Sequence, residues 1–429
     1  MSAVNPLDVI VIGAGAAGLS CAVTLARAGK SLVVLEATDR VGGRIRTDCV
    51  DGYTLDHGFQ VLLTAYPACR ELLDYDALRL RVFDPGALVR MNGKFSVLGD
   101  PWRRPAQAIG TVLSPVGTLA DKLRIAKVRR DSKRGSLDDL YSRVDQPTIE
   151  RLEKDGFSQG MIDRFFRPFL GGVFLDESLQ TSSRMLEFVF RMFAAGDIAV
   201  PADGMAAIAR QLAEALPNGT LRLQSTVTSL QPPDQSQSHH TVTLSNGETL
   251  SAQYVVMATE SSAAARLLGR QDVDTQWSSA TTIYYSADSV SDTRKLLMLR
   301  GDESGPVQTA VVLSNIAKEY APADKSLISV SVADERQNDE TAELDQAIRV
   351  QLRGWFGEAV DTWQRRHVYR IPYGLPKTDL QTVIKPVDGP AIGAAEGIYL
   401  CGDHRETPSI HGAMNSGLRA ARAILSQQQ

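Results

Sequence analysis

At 429 residues the chain is long enough for two domains that share large cores. Its 46 Lys and Arg against 50 Asp and Glu give a net charge of −4, so nothing in the bulk charge points to nucleic acid as a partner. No apolar run approaches the length of a membrane span, and the four cysteines, Cys21, Cys49, Cys69 and Cys401, have no metal-ligand spacing. A reducing compartment and no metal site are the simplest expectations.

The N-terminus reaches its first strand within eight residues, leaving no room for a targeting segment. The expectation is a cytoplasmic protein, free or peripherally bound to a membrane. Val9 to Gly13 read as a short apolar strand, Ala16 to Ala28 carry helical spacing, and Leu32 to Leu35 form a second apolar strand that closes on Glu36. Gly13, Gly15 and Gly18 give G-x-G-x-x-G between strand and helix. Gly13 permits the turn, Gly15 lets backbone approach a pyrophosphate, and Gly18 lets the helix pack closely on the strand. The helix N-terminus adds free N–H groups and positive potential around Ala16 and Ala17. Glu36, eighteen residues past Gly18, stands where a carboxylate accepts from a ribose diol and repels a 2′-phosphate. Gly42-Gly43-Arg44 suits a backbone laid against phosphates, with a guanidinium bonding their oxygens.

Further along, residues 100–134 hold nine basic residues against three acidic ones, a local net of +6 in an acidic protein. Trp102, Val112, Leu113, Leu119, Leu123 and Ile125 are interleaved, so the segment reads as a membrane-surface contact or as an ordinary solvated helical face. "MIDRFFRPFLGGVF", 161–174, suits the lining of a tunnel or a buried helix and turn. His239 and His240 fall in a polar turn and read as exposed loop histidines. The strand-like runs "TTIYYSA", "VQTAVVLS" and "SLISVSV" precede a helix at 341–355. Near the end, Ile398 to Cys401 form a strand, Gly402-Asp403 a turn, and a helix begins at about Ile410 with a small-residue face of Ala413, Gly417, Ala420 and Ala421, which suits close packing on the sheet.

Taken together, "GAGAAGLS" with Glu36, "VGGRIRT" (41–47), "DHGFQVL" (56–62), "PADGMAAIARQLA" (201–213), "STVTSL" (225–230), "YVVMATE" (254–260) and "YLCGDHRETPSIHGAMNSGLRAA" (399–421) resemble the flavin-containing amine oxidase superfamily, which includes protoporphyrinogen oxidases and phytoene and carotenoid desaturases. The resemblance implies an α/β protein. A discontinuous Rossmann-type FAD domain at 1–85, 196–268 and 387–429 would hold an inserted α+β substrate domain at 86–195, mostly helical, and at 269–386, a sheet plus helix.

It also implies FAD contacts from Ala37, from Gly58, Phe59 and Gln60 beside the isoalloxazine, from Val227 at adenine, and from Ala258 at a strand end. Gly402 and Asp403 would lie at the ribityl and phosphate part, Ile410 and His411 at the helix end facing the flavin. The positive end of that helix would stabilise the anion formed when N5 accepts hydride. His57, Gln60, Tyr373 and His411 are the candidates for contact with the reacting groups. His57 and His411 have plain packing as their alternative, and Tyr373 has a place in the core.

Many amine oxidases of the superfamily hold a lysine near N5 on the strand that matches "SSATTIYYSAD", yet no lysine occurs from Gln271 to Asp292 and Ala280 or a neighbour takes its place. That favours a desaturase-like or protoporphyrinogen-oxidase-like reaction on a small lipophilic molecule. No second G-x-G-x-x-G unit is present, so electrons are expected from an organic substrate and leave to oxygen or a quinone. An amine oxidase that makes hydrogen peroxide and an FAD protein without turnover are the alternatives.

Overall fold

The computed structural model describes residues 6–104, 110, 114–234, 238–377, 380 and 384–427. The chain opens with β1 (Leu7–Ile12), α1 (Ala16–Arg27) and β2 (Leu32–Leu35), then the hairpin β3 (Thr47–Val50) and β4 (Tyr53–Asp56), and a second hairpin, β5 (Gly86–Met91) and β6 (Lys94–Gly99). A helical stretch follows that includes α2 (Leu119–Ser132), α3 (Arg167–Phe174), which continues a π-turn over Ile162–Phe166, and α4 (Ser183–Ala195). Next come β7 (Leu221–Arg222), β8 (Val227–Gln231), β9 (His240–Leu244) and β10 (Thr249–Met257). The strands β11 (Trp277–Ala287), β12 (Leu297–Leu299), β13 (Val307–Val312) and β14 (Ser326–Val332) precede α5 (Thr341–Phe356), β15 (Gln364–Pro376), β16 (Ile398–Leu400) and α6 (Ile410–Ser426).

Two seven-stranded sheets organise these elements. The first runs β7-β2-β1-β10-β9-β8, with β16 paired to β10. Its central pairs are parallel and its β8–β9–β10 end is antiparallel. Strands from the beginning, middle and end of the chain meet here because Val9, Val11, Val34 and Val256 are apolar on one face and Ile10, Ile12, Leu35 and Met257 on the other. A parallel sheet covered on both faces requires that double burial. The second sheet runs β15-β11-β14-β13-β12-β5-β6 and is antiparallel except for β12–β5. Leu344, Ile348, Leu352 and Trp355 of α5 pack on its outer face against Ile283, Ile328 and Val330.

The first residues of the stretch 86–195 supply the β5–β6 edge of the second sheet, and helices fill much of the rest. Two expectations change. His240 is a buried strand residue with Nε2 3.0 Å from the Glu396 carbonyl, because its side of β9 turns inward, and His239 before it is half-buried. The small-residue face of α6 packs on α1 rather than on the sheet: a Cβ at Gly417 would lie 2.1 Å from the Ala17 carbonyl oxygen. Val112 and Leu113 lie outside the described residues.

Candidate functional site

The loop after β1 carries the glycine requirement in its geometry. Gly13 has φ +106°, and a Cβ there would sit 2.7 Å from the Ala258 carbonyl oxygen. At Gly18 a Cβ would reach the Gly13 oxygen at 2.0 Å, so α1 closes on β1 only with glycine. Gly15 faces open space, and no side chain caps α1 and no acidic residue sits in its first turn. Its first turn, buried Ala16 and Ala17 included, is therefore an uncapped positive helix end.

Glu36, buried at the end of β2, accepts from the Ala14 N–H at 2.8 Å on Oε2 and from the Thr38 N–H and hydroxyl at 3.0 and 2.8 Å on Oε1. Two ionised oxygens offer about four acceptor sites, so capacity remains for a ligand hydroxyl. Ala37 beside it is exposed, and the Ser225 N–H donates to the Glu36 carbonyl at 2.8 Å, which brings the start of β8 at Val227 alongside. Gly42 and Gly43 have φ +113° and +57°, and the Gly42 N–H donates to the Ala14 carbonyl at 2.8 Å. The two glycine segments are thus pinned to each other.

Beyond them, Arg44 donates to both carboxylate oxygens of Asp403, at 2.8 and 2.5 Å, and to the Gly374 carbonyl at 3.1 Å. Its guanidinium lies 4.8 Å over the Trp277 ring. Asp403 is almost fully buried, and a buried carboxylate requires such a bidentate partner. Around this pair lie buried polar atoms with no partner: Gln60 Oε1, Trp277 Nε1, and Nδ1 and Nε2 of His404. Burial pushes the His404 imidazole down to about 4. Gly402, with φ +150°, lets the His404 ring fold back against its own Cα.

The remaining candidates divide between open and closed settings. His57 Nε2 lies 2.7 Å from Asp48 Oδ2, and its ring packs 4.4 Å from that of Tyr369, whose hydroxyl donates to the same carboxylate at 2.8 Å. Burial raises the Asp48 pKa, but bonds from Arg40, His57 and Tyr369 outweigh it and hold the carboxyl well below its usual range. Gly58 has φ +89°, and a Cβ there would lie 3.0 Å from Ile371 Cδ1, while Phe59 meets Phe83 edge to face at 6.3 Å. Gln60 donates to the Arg44 carbonyl at 3.0 Å. Tyr373 is not a core tyrosine: it is 41% exposed at the end of β15, edge-on to Trp277 at 5.7 Å.

His411 sits in the first turn of α6, buried, with its ring stacked 5.6 Å from Tyr66 and 5.5 Å from Phe188. Burial pushes its imidazole down to about 4. Ile410 begins the helix, and the Ser409 hydroxyl caps it by accepting from the Gly412 N–H at 3.0 Å.

Trp277, His404 and the Asp48–Tyr369 pair escaped the sequence reading, because single aromatic and acidic residues carry no spacing signal. Asp56 was legible only as the first residue of the 56–62 motif, without its partners. This buried carboxyl accepts from Thr47, the Met205 N–H and Tyr320 at 2.6, 2.9 and 2.9 Å, yet burial raises it to about 6. Among the described residues no cluster has the makings of a metal site, and no helix is long and apolar enough to cross a membrane.

The fold and site define a nucleotide-binding α/β protein: an uncapped helix end, a buried carboxylate with acceptor capacity to spare and unpartnered polar atoms beside the Arg44–Asp403 pair fit a dinucleotide-type group. The chain belongs to the flavin containing amine oxidoreductase family, whose model matches residues 16–425, and its cofactor is accordingly a flavin. It is similar to protoporphyrinogen oxidase 2 of Arabidopsis thaliana, with 30% identity over 173 residues, 40% of this chain and 33% of that protein. It is also similar to putrescine oxidase of Kocuria rosea, with 57% identity over 53 residues, 12% of this chain and 11% of that one. The aligned stretches thus span a third or less of these curated relatives' length. An oxidoreductase from Methanosarcina mazei shares the fold, with a TM-score of 0.75 at 15% identity over 97% of this chain and 100% of that one.

Proposed function

We propose that the protein is an FAD-dependent oxidoreductase that takes hydride from an apolar organic substrate, in the manner of a desaturase or a protoporphyrinogen oxidase, and delivers the electrons to oxygen or a quinone. The observation that carries this reading is the face of β11 turned toward the cofactor loop. Ala280 pairs with Ile371, which touches Gly58, and Tyr284 two pairs on reaches the Asp56 carbonyl at 2.9 Å. That face therefore presents Ala280 and Thr282 where an amine oxidase would present a lysine.

In this reading Glu36 holds the ribose diol, with Ala37 and Val227 beside the adenine. The glycines 13, 15, 18, 42 and 43 and the first turn of α1 admit the diphosphate. Arg44, Ala258, Gly402 and Asp403 border it, and Gly58, Phe59, Gln60, Ile410 and His411 border the ring. Bound FAD supplies the hydride acceptor. Phe59 and Ile371 exclude water from the reacting face. The domain division is the one implied by the motifs, with cofactor parts at 1–85, 196–268 and 387–429 and substrate parts at 86–195 and 269–386.

The test is anaerobic: flavin absorbance is followed while carotenoid polyenes, protoporphyrinogen and simple amines are added singly. Bleaching by a polyene or by protoporphyrinogen supports the reading. Bleaching by amines, with peroxide formed in air, moves it to the amine oxidase class that the putrescine oxidase resemblance favours. No bleaching by any of them leaves an FAD protein without turnover.

The same reading sets the protein in the cytoplasm, resting on an anionic membrane through residues 100–134. Trp102, Leu119 and Leu123 are 48%, 58% and 66% exposed, and Arg129 stacks on Trp102 at 4.9 Å. Lys127, Arg130 and Arg134 already face carboxylates at 3.3–3.4 Å, so the apolar side chains must share the load. Vesicle binding that weakens with salt and with reversal of Arg124, Lys127 and Arg129 supports the contact; salt-independent absence of binding removes it.

A further inference from the structure

One carboxylate collects three separate parts of the molecule. Asp48 of β3 accepts from the Arg40 guanidinium at 2.7 Å on Oδ1, and on Oδ2 from the Tyr369 hydroxyl at 2.8 Å, with His57 Nε2 at 2.7 Å. Arg40 belongs to the turn after β2, where the Thr38 hydroxyl links the Arg40 carbonyl, at 2.9 Å, to Glu36 Oε1, at 2.8 Å. His57 opens the loop that follows β4, and Tyr369 stands on β15 opposite Thr282 of β11. The Asp48 and His57 side chains are 28% and 24% exposed, so water is available to either group, and a part-exposed ion pair adds little to folding. Three donors on such a carboxylate fix directions instead.

The direction that matters is that of residues 57–60. An ionised carboxylate only accepts, so His57 Nε2 carries a hydrogen and donates it to Asp48. The imidazole then packs 4.4 Å from the Tyr369 ring, which also meets His367 at 4.2 Å. The His57 N–H donates to the Arg46 carbonyl at 2.9 Å, and the Gln60 side chain donates to the Arg44 carbonyl at 3.0 Å. Between these bonds Gly58 lies against β15, where a Cβ on it would stand 3.0 Å from Ile371 Cδ1. The loop is thus tied on one side to the arm that carries Arg44 and on the other to the second sheet, and Asp48 is the group common to both ties.

We propose that Asp48 is a positioning residue: through His57 it sets the Gly58–Phe59–Gln60 loop against the flavin ring, and through Arg40 it holds the ribose-end turn in the same frame. This rests on the proposed reading for the place of the ring beside that loop. Asp48 itself touches no reacting group. His57, turned toward Asp48, is assigned to this tie rather than to proton transfer. A ring bordered by fixed groups gains from it, since a displacement of about 1 Å is enough to forfeit productive alignment.

The test uses the flavin-loaded full chain, with hydrogen exchange over residues 57–62 read by mass spectrometry. Asp48→Leu and His57→Leu should each quicken exchange there at least about tenfold, the size of one hydrogen bond to a charged group. Both should also move the visible spectrum of the bound flavin toward that of free flavin. His57→Gln, whose amide reaches Asp48 from nearly the place of Nε2, should restore both properties. Melting temperatures should stay within about 2 °C of wild type. Unchanged exchange in Asp48→Leu overturns the proposal. Faster exchange throughout the chain, with a large fall in melting temperature, assigns Asp48 a general structural role and overturns it as well. So does faster exchange confined to the loop with an unshifted flavin spectrum. Neither readout depends on turnover, so absence of bleaching by every substrate removes the oxidoreductase reading and leaves Asp48 in place.

Discussion

The two seven-stranded sheets are similar in size and opposite in design. The first is apolar on both faces and keeps its chemistry at strand ends, where Gly13, Glu36, Ala258 and Gly402 follow β1, β2, β10 and β16. The second is wholly apolar toward α5, and on its other face it mixes Thr282, Ser331 and Thr309 with Val311 and Leu327. A nucleotide needs backbone N–H groups and a helix end, which only strand termini present, so the sheet beneath can be plain core. A substrate lying across a sheet is met by side chains, so that sheet face must itself be specific.

If the contrast holds, steric change should be far less tolerated in the first region. Gly18→Val places a side chain into the Gly13 carbonyl, and loss of soluble, flavin-bearing protein is expected, a cost of about 4 kcal/mol or more. Thermal melting and the flavin-to-protein ratio check it, and near-normal values for both would break the comparison. Glu36→Lys keeps the fold but sets a cation against the helix N-terminus and removes the bonds to Ala14 and Thr38. Flavin content should fall at least tenfold, read from absorbance after gel filtration.

Titration separates buried groups more finely. His404 and His411, held down at about 4 by burial, lend stability that is complete above about 6.5 and is lost as pH falls through 4. Asp56, raised to about 6, lends stability that is complete below 3.8 and is lost as pH rises through 6. Urea unfolding between pH 4 and 7 should therefore show a shallower acid loss in His411→Phe and a steeper one in Asp56→Asn. The smallest effect belongs to the second region. Gly172→Ala adds a methyl at ordinary contact distance from Thr309, and its stability should stay within about 1 kcal/mol of wild type, read from thermal melting.

The βαβ unit was legible because each part is local: strand, G-x-G-x-x-G, helix and carboxylate follow within thirty residues, and α1 ends within one residue of its expected limit. Of the seven strands of the second sheet, β5, β6, β12 and β15 were not legible, while β11, β13 and β14 were legible as strands, Ser326–Val332 to the residue. Their partners were not, since β15 and β11 meet from nearly ninety residues apart and pairing leaves no mark on local pattern. His240 differs from its expected place for the same reason: a polar turn before it hides that its side of β9 is covered by Glu396, far along the chain.

By itself, then, the sequence determined a βαβ unit with its G-x-G-x-x-G turn, the carboxylate of Glu36 just past the second strand and the absence of a lysine on β11, all of them properties of short range or of composition. Only the tertiary structure decided that Arg44 grips Asp403, that the Trp277 ring lies under that guanidinium, and that Gln308 lies against α3. Those contacts join residues up to 359 positions apart, and which distant surfaces meet is settled by burial of the whole chain rather than by the identity of either partner.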